Sequence, residues 1–141
     1  MTAKEYLKQA YRIDHRINSD IAELGRLREM STSISSPNLG EKVQTSHCGD
    51  APFMKCLERI YDLEARINDE IDLFVDLKNE IRSVIDTVPN TDERMVLRYR
   101  YIHNFTWEQI GDELSADSRT VRRWHGQALQ HVVLPENPIK I

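Results

Sequence analysis

The chain has 141 residues, 40% hydrophobic and 30% charged, which suits one small domain with extensions or two modest modules rather than a large enzyme with a deep cleft. Its formal net charge of −4 argues against a protein that coats nucleic acid or anionic membrane, so any nucleic-acid contact must come from a local basic patch. The apolar runs are short and the first residues are charged, so we expect neither a signal peptide nor a membrane span, and a cytoplasmic protein.

The first predicted element is an amphipathic helix over about residues 3–30, where apolar residues recur at spacings of three and four. Residues 31–52 then become rich in Ser, Thr, Gly and Pro without periodicity, which predicts a long irregular loop. Cys48 and Cys56 lie in or beside this loop at a spacing that matches no common zinc or redox motif. We therefore expect free thiols and no metal site.

The second predicted element is a long helix over about residues 53–87, whose apolar seam would pair with the first helix in an antiparallel hairpin. Its apolar residues outside that seam are more than one partner helix would cover. They are Tyr61, Leu63, Leu73, Val75, Leu77 and Val84. We expect a second copy of the chain to cover them, giving a homodimer or higher homo-oligomer; the alternative is that the C-terminal module packs there.

The sequence TVPN at residues 87–90 ends the long helix, because proline disfavours helical conformation in the residue before it. Three short helices are predicted beyond this boundary, each preceded by a side chain suited to cap it. The capping positions are Asn90 with Glu93, Thr106 with Gln109, and Asp117. The helices are expected over about 91–102, from 107 to near 115, and over 118–132. Two capped helices separated by three residues are typical of a helix-turn-helix.

The crossing of the last two helices has residues suited to a close approach. Gly111 is the small residue in the middle of the first of them, and Ser115 occupies a turn position where glycine is more usual. Trp107 and Trp124 fall at positions that lock the motif, so we expect both to pack in the core rather than stack on bases.

The last helix has a candidate DNA-binding face. If Val121, Trp124 and Ala128 are buried, helical spacing turns the arginines near the helix N-terminus outward. In a helix-turn-helix that end enters the major groove, where arginine binds guanine or phosphate. The alternative is a solvated face without a ligand. The candidate DNA-binding residues are Ser118, Arg119, Thr120, Arg122, Arg123 and Gln127.

The segment QIGDELSADSRTVRRWHGQAL, preceded by VLRYRYIHNFTW, resembles region four of bacterial sigma factors, the helix-turn-helix that reads the upstream promoter element. It is also similar to small sigma-factor-like regulators encoded by phages and prophages of Gram-positive bacteria, in which two long helices precede an ending of this kind. The sigma resemblance covers about residues 90–134, and the phage-family resemblance covers most of the chain. The sigma resemblance implies that Ser118, Arg119, Arg122 and Arg123 face DNA.

We therefore predict an all-α protein. Residues 1–88 would form a long antiparallel helical hairpin for oligomerisation or docking, residues 90–134 a three-helix helix-turn-helix module, and residues 135–141 a tail.

The chain is predicted to be a sequence-specific transcriptional regulator that binds double-stranded DNA. The resemblance adds RNA polymerase as a candidate partner. A free-standing sigma factor is not expected, because the chain before residue 90 has no Trp on which unstacked bases could be held. The alternatives are a DNA-packaging protein like a small terminase subunit and a helix-turn-helix adaptor of RNA polymerase that binds protein only.

No enzyme is predicted, since the sequence has no nucleophile elbow, glycine-rich phosphate loop or HExxH motif. His103, His125 and His131 are scattered, with His125 expected beside the DNA-binding face and His131 near the core. The sequence implies no cofactor.

Overall fold

The computed structural model describes residues 1–35 and 50–141, and of residues 34, 35 and 50–53 it describes the backbone only. All regular secondary structure in these ranges is helical, which confirms the predicted all-α class. The elements are α1 (Ala3–Lys8), α2 (Ile13–Ser35), α3 (Asp50–Asp86), α4 (Thr91–Leu97), a π-helical segment (Arg98–Ile102), α5 (Trp107–Leu114) and α6 (Ser118–His131). They fall into two compact units, Met1–Asp14 with Phe74–Ile141, and His15–Leu73.

The N-terminal segment is two helices rather than the single helix predicted over residues 3–30. A capping box at Thr2 begins α1, and Arg12 adopts a left-handed conformation with φ of 55° immediately before α2. Tyr6, Ala10 and Ile13 are all buried, so the apolar spacing continues across the break. Periodicity alone therefore could not reveal the interruption.

The unit His15–Leu73 is held together by an apolar seam between α2 and α3. Leu24 and Leu27 of α2 form one buried cluster with Ile60 and Ile67 of α3. Cys56 packs against this cluster as a half-buried free cysteine. The predicted loop is shorter than residues 31–52, because α2 continues to Ser35 and α3 begins at Asp50. Residues 36–49, with Cys48, lie outside the described residues.

The six extra apolar residues of α3 divide into three groups. Leu63 is half-buried and packs against the cluster between α2 and α3. Leu77 and Val84 are buried in the unit that contains the C-terminal module. Tyr61, Leu73 and Val75 stay exposed. The extra apolar residues are therefore only partly exposed, and coverage of the exposed ones by a second copy of the chain stays a prediction.

Both ends of the chain belong to the unit formed by Met1–Asp14 and Phe74–Ile141, which we call the C-terminal unit. The hydroxyl of Tyr6, a fully buried residue, donates to Glu80 Oε1 of α3 at 2.6 Å, and the same oxygen accepts the Ile139 amide at 3.0 Å. Gln9 Nε2 donates to the Ile139 carbonyl at 2.9 Å, and Gln9 Oε1 accepts the Ile141 amide at 2.9 Å. Burial, followed by the contact with Glu80, raises the pKa of Tyr6. The C-terminal tail therefore lies against α1 and α3.

The helix-turn-helix has a small apolar core in which Val96, Ile110 and Val121 are fully buried, one each from α4, α5 and α6. Trp107 and Trp124 pack against this core but remain half-buried. They form its rim, whereas the sequence had predicted them as core residues.

The predicted caps are observed in part. Thr106 and Gln109 form a reciprocal capping box at the start of α5. The Asn90 side chain accepts the Glu93 amide at 3.2 Å, but the Glu93 carboxylate turns away from it. Asp117 occupies the N-cap position of α6 without a side-chain cap bond. All three helices nevertheless begin where these capping positions predicted.

The turn between α5 and α6 brings two backbones into contact. A Cβ atom added to Gly111 would lie 2.5 Å from the Ala116 carbonyl oxygen, and the Ala116 amide donates to the Gly111 carbonyl at 2.9 Å. Ser115 between them has φ of 53° and ψ of 45°, the left-handed conformation for which glycine is favoured. Glycine is thus required at 111, and serine at 115 carries some strain.

Replacing Gly111 by Ala should lower the free energy of unfolding by about 1–3 kcal/mol, because the methyl group displaces a backbone carbonyl at the crossing. Gly126 of α6 is the matched control. It is exposed and an added Cβ meets nothing within 4 Å, so Gly126→Ala should stabilise the protein by about 1 kcal/mol. Urea unfolding of both variants measures this; equal effects would contradict the close approach.

Candidate nucleic-acid interface

The exposed face of α6 carries most of the predicted DNA-binding residues. Its opposite face, with Val121, His125 and Ala128, is buried. Arg119, Arg122, Arg123 and Gln127 are exposed, and Ser118 and Thr120 are half-buried. Helical spacing with one buried stripe leaves the arginines facing solvent.

The turn presents the first residues of α6 at the surface. Only Ser115, Ala116 and Asp117 separate the two helices, and Asp117 leaves the first amides of α6 without a side-chain cap bond. Free amides and the positive end of the helix dipole favour an anion at this end. Exposed carboxylates of Asp112 and Glu113 on α5 limit the basic surface to a narrow strip.

Arg122 differs in its surroundings from the other two arginines of α6, Arg119 and Arg123. Its guanidinium carbon lies 5.9 Å from the centre of the Trp107 ring. Arg100 of the π-helical segment stacks closer to the same ring at 4.2 Å, and its Nη1 donates to the Phe105 carbonyl at 2.9 Å. The sequence did not identify Arg100 as a candidate, because a cation seven residues before a tryptophan is too common a pattern to indicate a contact.

The segment with the three-residue turn and the exposed arginine face is similar to one known sequence family. Residues 90–132 match the family model of sigma-70 region 4. The match confirms the predicted region-four-like helix-turn-helix, and it covers α4, the π-helical segment, α5 and α6. No curated protein and no solved structure matches the chain. We refer to residues 90–132 as the region-4 module, a DNA-binding helix-turn-helix.

Two of the three histidines of the region-4 module, His125 and His131, lie opposite to the prediction. His125, expected beside the DNA-binding face, is buried, with Nε2 2.7 Å from the Tyr101 hydroxyl and its ring edge-on to Trp107. His131, expected near the core, has an exposed side chain whose Nδ1 lies 2.6 Å from the carboxylate of Glu93. Glu93 is the buried member of that pair, with 4% exposure.

His125 is also the most perturbed basic group of the region-4 module. Burial lowers its pKa to about 4, and the charges of Lys4 and Arg100 act in the same direction. A neutral imidazole at this position can form one hydrogen bond with the Tyr101 hydroxyl. Burial also raises the pKa of Tyr101. The pair is therefore structural at neutral pH.

None of the described helices is long and apolar enough to cross a membrane. Among the described side chains, His, Cys, Asp and Glu do not gather in a group of three that could hold a metal ion.

The free energy of unfolding should fall as the pH is lowered from about 6.5 towards 4. Unfolded His125 takes up a proton near its ordinary pKa of 6.5, whereas the folded protein resists protonation until about 4, so acid favours the unfolded state. Up to about 3 kcal/mol would be lost across this interval. Urea unfolding at several pH values measures the slope. The variant His125→Gln, which cannot titrate, should have a shallower slope; an identical slope would contradict a buried neutral histidine.

Proposed function

We propose that the protein is a sequence-specific transcriptional regulator that inserts α6 into the major groove of double-stranded DNA. The observation that carries this proposal is the exposed arginine face of α6 within the region-4 module. Such a helix combines phosphate neutralisation with base readout in one surface.

The roles proposed for individual residues follow from their position on α6. Arg119 and Arg123 are exposed and can reach guanine edges or phosphates. Ser118 and Thr120, half-buried in the first turn, suit short hydrogen bonds to phosphate beside the helix N-terminus. Gln127 is exposed two turns later and suits an adenine edge.

A second copy of the chain is the proposed partner of the long helices. In the unit His15–Leu73, Ile21 and Tyr61 are 53% and 54% exposed, and Leu73 is 40% exposed. Apolar surface of this kind favours an interface. A dimer would present two α6 helices to two half-sites, and the same helices could instead dock on RNA polymerase.

The origin proposed for the regulator is a phage or prophage of a Gram-positive bacterium. This rests on the sequence resemblance to sigma-factor-like phage regulators that covers most of the chain. A regulator of bacterial genes acts in the cytoplasm, which is the localisation we propose.

Selection of binding sites from random duplexes tests the function. The wild-type protein should enrich a defined sequence, and a repeated half-site would report the dimer. Arg119→Ala combined with Arg123→Ala should bind that sequence at least about 30-fold more weakly, since each good arginine contact contributes about 1–3 kcal/mol.

The matched control is Arg59→Ala combined with Arg66→Ala, which removes the same charge from exposed positions of α3. It should bind the selected site as the wild type does. Equal losses in both double variants would indicate nonspecific electrostatics. Failure of the wild type to enrich any sequence would favour the adaptor that binds protein only.

A further inference from the structure

A partly enclosed cavity of about 640 Å³ lies in the C-terminal unit, outside the exposed strip formed by Arg119 and Arg123. Its walls come from α1, the π-helical segment and the residues after it, the start of α5, and α6. The volume lies within the range of about 300–1,000 Å³ that is typical of small-molecule sites. The region-4 module supplies only part of the lining, because α1 closes one side.

Four cations converge on this cavity. They are Lys4 and Lys8 of α1, Arg100 of the π-helical segment and Arg122 of α6. No carboxylate lines it among the described residues, and none of the four takes part in an ion pair there. The charges of Lys4 and Arg100 also lower the pKa of His125, which lines the same cavity. An unneutralised cluster of this kind attracts an anion.

Aromatic rings form the other part of the wall. Tyr11 lines the cavity and is 59% exposed, and Trp107 lines it as a half-buried ring. Cations already lie near both rings, Arg12 at 5.1 Å from the centre of Tyr11 and Arg100 at 4.2 Å from that of Trp107. Flat apolar surface beside converging cations suits a ligand that has both a planar ring and an anionic group.

We propose that this cavity binds a free nucleotide, a nucleoside diphosphate or triphosphate whose phosphates lie among Lys4, Lys8, Arg100 and Arg122 and whose base lies against Tyr11. Four cations without a lining carboxylate match the charge of two or three phosphates better than that of one. The cavity is also far larger than a single phosphate group.

The other source of phosphate is the DNA backbone. Duplex phosphates are met by side chains on an exposed surface, as Arg119 and Arg123 are on α6. This cavity is recessed, and two of its cations and its most exposed ring come from the first 14 residues, outside the region-4 match. A recess with an aromatic wall favours the free nucleotide. The proposal does not depend on sequence-specific DNA binding.

Isothermal titration calorimetry on the full chain tests the proposal with ADP, GDP, CDP and UDP, the corresponding nucleosides, inorganic phosphate and a duplex of mixed sequence. At least one nucleoside diphosphate should bind the wild type, with its nucleoside and inorganic phosphate each at least 10-fold weaker. Lys4→Gln combined with Lys8→Gln should weaken the nucleotide at least 10-fold and leave duplex affinity within about twofold. Lys55→Gln combined with Arg59→Gln, on α3, is the control with equal charge loss and should match the wild type.

The variant Tyr11→Ala distinguishes the contribution of the base to binding from that of the phosphates. It should weaken nucleotide binding severalfold and leave inorganic phosphate unchanged, and a thermal melt confirms that each variant is folded. The proposal is overturned if no nucleotide binds the folded wild type, or if the α3 control weakens binding as much as the α1 variant. It is equally overturned if the α1 variant loses duplex affinity alone, because the cavity would then belong to the DNA-binding surface.

Discussion

The backbone contact between α5 and the turn that leads into α6 is the constraint on which the region-4 module depends. Gly111 has no side chain to hold the turn away, and the carbonyl oxygen of Ala116 lies 2.5 Å from where a Cβ would stand. The left-handed Ser115 lets the chain reverse in three residues. Because Ile110 and Val121 flank this contact in the core, its geometry sets the rotation of α6 and with it which arginines face solvent.

A second constraint brings distant parts of the chain onto this module. Glu80 accepts hydrogen bonds from Tyr6 and from the amide of Ile139, so one carboxylate of α3 joins α1 and the tail. Tyr6 and Leu7 are fully buried, which removes α1 from the long hairpin that the sequence predicted and makes it a wall of the C-terminal unit. The cationic cavity exists only because α1 lies there.

The sequence was sufficient for features that depend on neighbours in the chain. The starts of the three C-terminal helices, the three-residue turn, the close approach at Gly111 and the strained turn position of Ser115 all follow from local chemistry, and the structure has each of them. His125 could have been predicted too, since it is four residues after Val121 and three before Ala128 and so shares their buried face.

Features that depend on distant residues were not predictable. The break between α1 and α2 keeps the apolar spacing of a continuous helix, and only tertiary packing of Tyr6 distinguishes the two cases. Glu93 is a second case. Its place three residues after the N-cap can be read from the sequence, but its carboxylate pairs with His131, 38 residues later. A single sequence contains no signal for pairs of this kind.

Arg122 belongs both to the proposed DNA-binding face and to the proposed nucleotide cavity, so its position determines whether the two ligands compete. It belongs to the exposed face of α6, yet its guanidinium lies 5.9 Å from the centre of the Trp107 ring that lines the cavity. One guanidinium cannot bind a phosphate in the cavity and a base or phosphate of DNA at the same time. If both ligands use Arg122, each weakens the other by the same factor, because linkage between binding sites is reciprocal. If DNA uses only Arg119 and Arg123, the two affinities are independent, so measuring duplex affinity with and without nucleotide assigns Arg122 to one surface or to both.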